Sequence, residues 1–177
     1  MNKTMRTIAV ALTLLVFACS GSSRSQGLKV GTEAPDFKLA DLAGNEVSLK
    51  EFRGKVVAIV FWASWCPHCR KEIPELIKLD REYRDKGLEM LAVSPRESAQ
   101  KLKPFAEKNG ITYRVLLDSK GEVSATYKIV GVPSLVIVDR GGVIKYSGIG
   151  LPEEAKKILK DLLKGDEKET GKKDSGK

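Results

Sequence analysis

Cys66 and Cys69, in the run Trp65-Cys66-Pro67-His68-Cys69, are the residues of this chain best equipped for chemistry. Two thiols three residues apart on a helix return to nearly the same face, within reach of a disulfide bond. Unpaired N–H groups and the helix dipole favour an anionic sulfur at position 66 if a helix starts there. Pro67 suits the first turn, where its missing N–H costs nothing. His68 adds a donor, and when protonated a positive charge, beside the Cys66 sulfur. The set amounts to a dithiol that cycles with a disulfide and needs no cofactor beyond that Cys66–Cys69 bond. A structural zinc site would want four ligands, and this chain has three cysteines and a single histidine, so no metal site is expected. The lone histidine also excludes mechanisms that need two imidazoles. A purely structural disulfide across so short a loop would restrain little chain.

Such a pair must be held at a strand-to-helix junction, and the flanking pattern supplies one. Lys55 to Trp62 is a continuous β-branched and aromatic run, as in a strand buried on both faces of a parallel sheet. From Pro67 to Lys86 the apolar stripe Ile73, Leu76, Ile77, Leu79, Tyr83 predicts a helix, stopped by Gly87 and kinked at Pro74. Leu88 to Val93 reads as a second buried strand, Ser98 or Ala99 to Asn109 as a second helix, and Val115 to Leu117 as a short strand. Val123 to Tyr127 reads as a helical turn. Leu135 to Val138 and Val143 to Tyr146 flank a Gly-Gly turn, and Pro152 opens a final amphipathic helix to about Leu163. Before all of these, Phe37 to Leu39 and Glu46 to Leu49 read as a hairpin. The expected fold is α/β and three-layered: a central mixed sheet, helices on both faces, and an extra N-terminal β-hairpin.

The ends of the chain read differently. Lys3 and Arg6 precede an apolar stretch from Ile8 to Ala18, too short to span a bilayer and suited to a signal peptide over residues 1–18. Val16-Phe17-Ala18-Cys19 resembles the lipobox of bacterial lipoproteins, which implies a lipid anchor on Cys19; ordinary cleavage after Ser20, discarding Cys19, is the competing reading. Residues 19–28 are expected to form a tether, 29–164 the domain, and 165–177 a charged disordered tail. The formal charge is +8, two units of which are Lys3 and Arg6 in the leader. Export argues against nucleic acid as the target of the remainder, and a solvated surface of mixed Lys and Glu is the plain reading.

From about Gly31 to Leu163 the sequence resembles the thioredoxin-like fold, and within it the TlpA-like branch of exported bacterial thiol–disulfide oxidoreductases. The resemblance rests on Ala34-Pro35-Asp36-Phe37, Gly54-Lys55-Val56-Val57, Phe61 to Pro74 around the two cysteines, Gly131-Val132-Pro133-Ser134 and Asp139 to Gly142. It implies a cis Val132–Pro133 bond facing the cysteines, with Val132 offering its backbone to an extended substrate segment. It also implies that Glu72 assists proton transfer at Cys69, against a plain reading as a solvated helix carboxylate. Trp65 corresponds to a tryptophan that shields the nucleophile, with core packing as the alternative. Implied partners are protein thiols and disulfides and a membrane electron donor or acceptor, acting on a lipid-anchored monomer at the extracytoplasmic or periplasmic face.

Direction is left open by conflicting cues. Pro67-His68 is the dipeptide of the strong oxidant DsbA, while the body resembles reductases of apocytochrome c or copper-site maturation, and the chain lacks length for DsbA's helical insertion. The reductive reading is preferred. A peroxiredoxin would need Pro and Thr where Ile59 and Ala63 stand. A Sco-like copper assembly factor, the non-enzymatic alternative, would space its cysteines more widely and add a distant histidine.

Overall fold

The computed structural model describes residues 27–164; the expected signal peptide, lipidation site Cys19, most of the tether and the tail lie outside the described residues. The strands are β1 (Lys38–Asp41), β2 (Glu46–Ser48), β3 (Val56–Phe61), β4 (Leu88–Pro95), β5 (Arg114–Asp118), β6 (Ser134–Val138) and β7 (Ile144–Ile149). The helices are α1 (Pro67–Tyr83), α2 (Ala99–Lys108), α3 (Glu122–Thr126) and α4 (Glu153–Lys164), with 3-10 turns at Leu49–Phe52 and Arg84–Lys86.

All seven strands form one sheet in the order β2-β1-β5-β4-β3-β6-β7. β3, β4 and β5 are parallel, whereas β6 runs antiparallel to β3 and β7 antiparallel to β6. The N-terminal hairpin is present, and β1 attaches antiparallel to β5, adding two strands to the edge farthest from β7.

Side-chain alternation along the strands divides the core in two. Val56, Ala58 and Val60 of β3, with Leu88, Met90 and Ala92 of β4, pack with Ile73, Leu76 and Leu79 of α1, Leu102 of α2 and Leu159 of α4. Val57, Ile59 and Phe61 face the other way, onto Phe37, Leu49, Phe52 and Tyr127. Each fully buried side chain of this kind contributes roughly 1.5–3 kcal/mol. Both faces are thus covered, but unequally. β3→β4→β5 steps one way across the sheet, so right-handed crossovers put α1 and α2 on one face, and α4 joins them. The opposite face has only α3, the 3-10 turn at Leu49–Phe52 and the N-terminal segment.

One expectation at the boundaries shifts. Gly27 and Leu28, expected at the end of the tether, already belong to the domain: the Gly27 N–H donates to the Lys128 carbonyl, and Leu28 packs on the second core. Pro74 is accommodated inside one continuous helix, exposed on its surface, and Pro104 sits likewise inside α2.

Candidate functional site

β3 delivers the chain to the site. Its ladder with β4 extends one residue, with the Trp62 N–H donating to the Val93 carbonyl, and the backbone then turns through Ala63, Ser64 and Trp65. Ser64 pins this turn. Its N–H and hydroxyl both donate to Glu97, at 2.8 and 2.6 Å, and the Ser94 hydroxyl and Lys101 ammonium converge on the same carboxylate. Burial pushes the Glu97 carboxyl up, but Lys101, Ser64 and Ser94 together outweigh it and hold it below its ordinary range. Sequence reasoning missed Glu97, which reads as one more charged residue ahead of a helix.

Cys66 is the N-cap of α1, in extended conformation, with Pro67 in the first turn. Its Sγ accepts the Cys69 N–H at 3.2 Å, so the sulfur takes a bond that a capping oxygen normally takes. As a thiol it points to the Val132 carbonyl at 3.6 Å. Both cysteines are free thiols, and both are buried, with Cys66 at 4% and Cys69 at 3% exposure. Exposure therefore does not separate an outer from an inner sulfur; their surroundings do. Burial pushes the Cys69 thiol up to about 12, reinforced by the neighbouring Cys66 sulfur and by the Glu72 carboxylate, and only the Ala63 backbone pulls the other way.

Glu72 stands one turn beyond Cys69 and lines the same small crevice, with Trp62, Tyr113 and Pro133. It accepts one hydrogen bond, from the Leu151 N–H at 3.1 Å in the turn between β7 and α4. Burial raises its carboxyl above the ordinary value, and Glu75 adds to this, against the pull of Leu151, His68 and Lys156. Glu72 is thus half-buried and not a fully solvated helix carboxylate. Tyr113 and Trp62 are further members of the crevice that the sequence did not single out. Burial raises the Tyr113 phenol well above its usual range, and the Trp62 Nε1–H has no hydrogen-bond partner among the described residues.

The Val132–Pro133 bond is cis, and the Pro133 carbonyl accepts the Gly150 N–H, tying this loop to the Glu72 side of the site. Trp65 is 64% exposed, which rules out its alternative as a core-packing residue. His68 is also exposed and makes no hydrogen bond to the Cys66 sulfur among the described residues; its charge acts on Glu72 instead. The donor expected of His68 at the nucleophile is thus not in place. Among the described residues no three His, Cys, Asp or Glu side chains gather into a metal-binding set.

The arrangement can perform thiol–disulfide exchange, and similarity to known proteins agrees. Residues 30–147 match the AhpC/TSA family. The thiol–disulfide oxidoreductase ResA of Bacillus cereus is 33% identical over 142 residues, 80% of this chain and 81% of that protein. The thioredoxin-like protein YneN of Bacillus subtilis is 39% identical over 132 residues, 73% of this chain and 76% of YneN. Among solved structures, the thioredoxin domain of a thiol–disulfide oxidoreductase from Bacteroides vulgatus superimposes with a TM-score of 0.70 at 32% identity, covering 77% of this chain and 99% of that domain. By fold, by dithiol and by these relatives, the chain belongs to the AhpC/TSA family as a thioredoxin-like thiol–disulfide oxidoreductase.

Proposed function

We propose that this oxidoreductase acts outside the cytoplasm as a monomeric reductase of protein disulfides, held at a membrane through Cys19 and recharged by a membrane electron donor. The client class that the sequence resemblance implies, a cysteine pair awaiting haem or copper, is part of this reading. In the first step the Cys66 thiolate attacks one sulfur of the client disulfide. A mixed disulfide forms, and the other client sulfur leaves as a thiolate and takes a proton from water. Cys69 then gives its proton to the Glu72 carboxylate, and its thiolate attacks the Cys66 sulfur. The second client thiol departs, and the protein is left with a Cys66–Cys69 disulfide. Two electrons pass to the client, and the donor returns them. Pro67 holds the helix start, and the Val132 backbone beside Pro133 supplies an edge for the client segment.

The observation that carries the reductive direction is the thinness of support at the Cys66 sulfur. A strong oxidant has its reduced form stabilised by contacts to the nucleophilic thiolate. Here the helix end and the Cys69 N–H provide that support, and His68 makes no hydrogen bond to the sulfur among the described residues. A protein client is supported by the rim. Trp65, Val130 and Ile149 are three of the four large apolar residues exposed among the described residues, and all three border the Cys66–Pro133 region in sequence or pairing.

Equilibration with glutathione at neutral pH tests the direction. A potential near that of thioredoxin, about −270 mV, is expected, whereas a value near about −120 mV would make the protein an oxidant. In parallel, Cys69→Ser should accumulate mixed disulfides with client proteins through Cys66, and their absence in cells would end the client assignment.

A further inference from the structure

Beside the nucleophile runs an open groove of about 430 Å³, lined by Ser124 and Ala125 of α3, by Trp65, Val130 and Val132, and by Arg96. Val132 links it to the chemistry, since its carbonyl is the one 3.6 Å from the Cys66 sulfur. The apolar wall is open to solvent: Val130 is 82% exposed and Trp65 nearly as free.

Arg96 is anomalous in two ways. Its φ is +58°, in the left-handed region that a β-carbon disfavours by roughly 1–2 kcal/mol. The site would suit glycine, yet it carries a long cation. That cation is also unspent. The Arg96 N–H donates to the Asp118 carbonyl, but its guanidinium makes no ion pair or hydrogen bond among the described residues. The side chain is laid beside Gly121, where a β-carbon would stand 3.2 Å from Arg96 Nε and would make the guanidinium shift slightly. Adjacent Glu97 cannot neutralise it, because that carboxylate is committed to Ser64, Ser94 and Lys101. Lys120 and Lys128 flank the groove in sequence; of the neighbouring acids, Glu122 lies 3.9 Å from Lys120, and the buried Asp118 carboxylate already accepts from the Val123 and Ser124 N–H groups and the Ser124 hydroxyl. Backbone held in a sparsely populated region clusters at active sites and ligand clamps.

We propose that Arg96 selects clients: the groove receives an extended client segment whose cysteine lies at Cys66, an apolar side chain against Trp65 and Val130, and an acidic side chain on the Arg96 guanidinium. This rests on the exchange reading of Cys66 and names the class of sequence that the reaction accepts. An Arg–carboxylate contact on a partly apolar floor is directional and often bidentate, which makes it a discriminator as well as an attraction.

The test uses short peptides with one cysteine capped as its thionitrobenzoate mixed disulfide, in sets carrying Glu, Gln or Lys at successive positions on either side of the cysteine. At low salt the pre-reduced wild-type dithiol should release thionitrobenzoate from the best-placed Glu peptide, in a single turnover, with a second-order rate constant about five- to tenfold above its Lys counterpart, and added salt should compress that ratio. Arg96→Gly, which suits the backbone, and Arg96→Gln, which keeps the reach, should each bring the ratio close to one; Arg96→Glu should invert it. A wild-type ratio near one at every position, or a ratio that survives in Arg96→Gly, would overturn the proposal. So would a dimer that dissociates in Arg96→Gly by sedimentation, since the groove would then belong to a second copy. The wild-type arm separates this proposal from its premise: no release from any peptide sinks the exchange reading itself.

Discussion

Two partly or wholly buried carboxylates border the turn between β3 and α1. Glu97 accepts from the Ser64 N–H, the Ser64 hydroxyl and the Ser94 hydroxyl and pairs with Lys101, and its carboxyl is held low. Among the described residues Glu72 accepts only the Leu151 N–H, and its carboxyl is held high. Burial acts on both in the same direction, so the difference lies in the number of donors each one meets. A carboxylate saturated with donors is fixed in its charge and position and serves as a bolt. One left short of donors exchanges its proton readily, which is what the resolving step at Cys69 requires. The turn that presents Cys66 is therefore clamped on one side by a permanent anion and served on the other by a labile one.

The largest effect should come from unfastening the bolt. Glu97→Gln retains shape but sets an amide NH2 among donors, leaving Ser64 or Ser94 unpaired and Lys101 without its anion. Leaving a buried hydroxyl or N–H without its acceptor costs about 1–3 kcal/mol, and urea denaturation should show a loss of that order, with thiol exchange slowed because the Ser64 turn loosens. The pH dependence has a definite sign. A carboxyl held low in the folded state contributes stability that is present above its ordinary value of 4.5 and lost as pH falls through the lower folded value. Wild-type protein should lose stability in that acidic window, and Glu97→Gln should have less left to lose there. An equal acid sensitivity in both would mean that the clamp holds little of the fold.

Glu72→Gln should do the opposite. A raised folded value means that the carboxylate is disfavoured in the fold, a cost that is absent in acid and grows as pH rises through the folded value. Removing the charge should therefore hold or raise the melting temperature at neutral pH, while the Gln oxygen still accepts the Leu151 N–H. Resolution of a preformed mixed disulfide by Cys69 should slow by roughly 10²-fold, the ordinary contribution of a positioned general base. The remaining rate should rise with pH toward the raised Cys69 value of about 12. Unchanged resolution by stopped flow would reduce Glu72 to a structural residue.

The contrast between the two glutamates also marks what could be read from residue order. β3 was legible because Val56 to Phe61 is apolar at every position, a pattern that only a strand buried on both faces explains. α1 was legible from its stripe, its proline and its cysteine cap, all of which are local. The cis bond and the Glu72 role came from resemblance to a family, not from spacing. Glu97 escaped because its burial depends on β4 lying parallel to β3, which brings the end of one strand against the loop leaving the other. The attachment of β1 to β5 is likewise a matter of strand order, which side-chain periodicity does not encode. His68 stands in the first turn of α1, but it makes no bond to Cys66 among the described residues, and where a side chain points is not written in residue order. Arg96 offers no sequence signal, since a positive φ is written only in the path that the chain takes after β4.

Gly150 offers the finest test, because it touches Glu72 without taking part in the chemistry. Its φ is +61°, and a β-carbon there would stand 2.6 Å from Glu72 Oε1, too close to coexist. Gly150→Ala therefore adds two things: backbone strain of roughly 1–2 kcal/mol, and a push on the carboxylate that weakens its bond to Leu151. The strain should appear as a modest fall in melting temperature. The push should appear as a several-fold slowing of resolution, well short of that in Glu72→Gln. The double mutant separates the two: with Glu72 already replaced, Gly150→Ala should add strain but little further slowing, giving non-additive kinetics and nearly additive stability. Fully additive slowing would mean that residue 150 acts through the Pro133 loop, whose carbonyl its N–H holds at 3.1 Å, and that the position of Glu72 matters less to the proton than its presence.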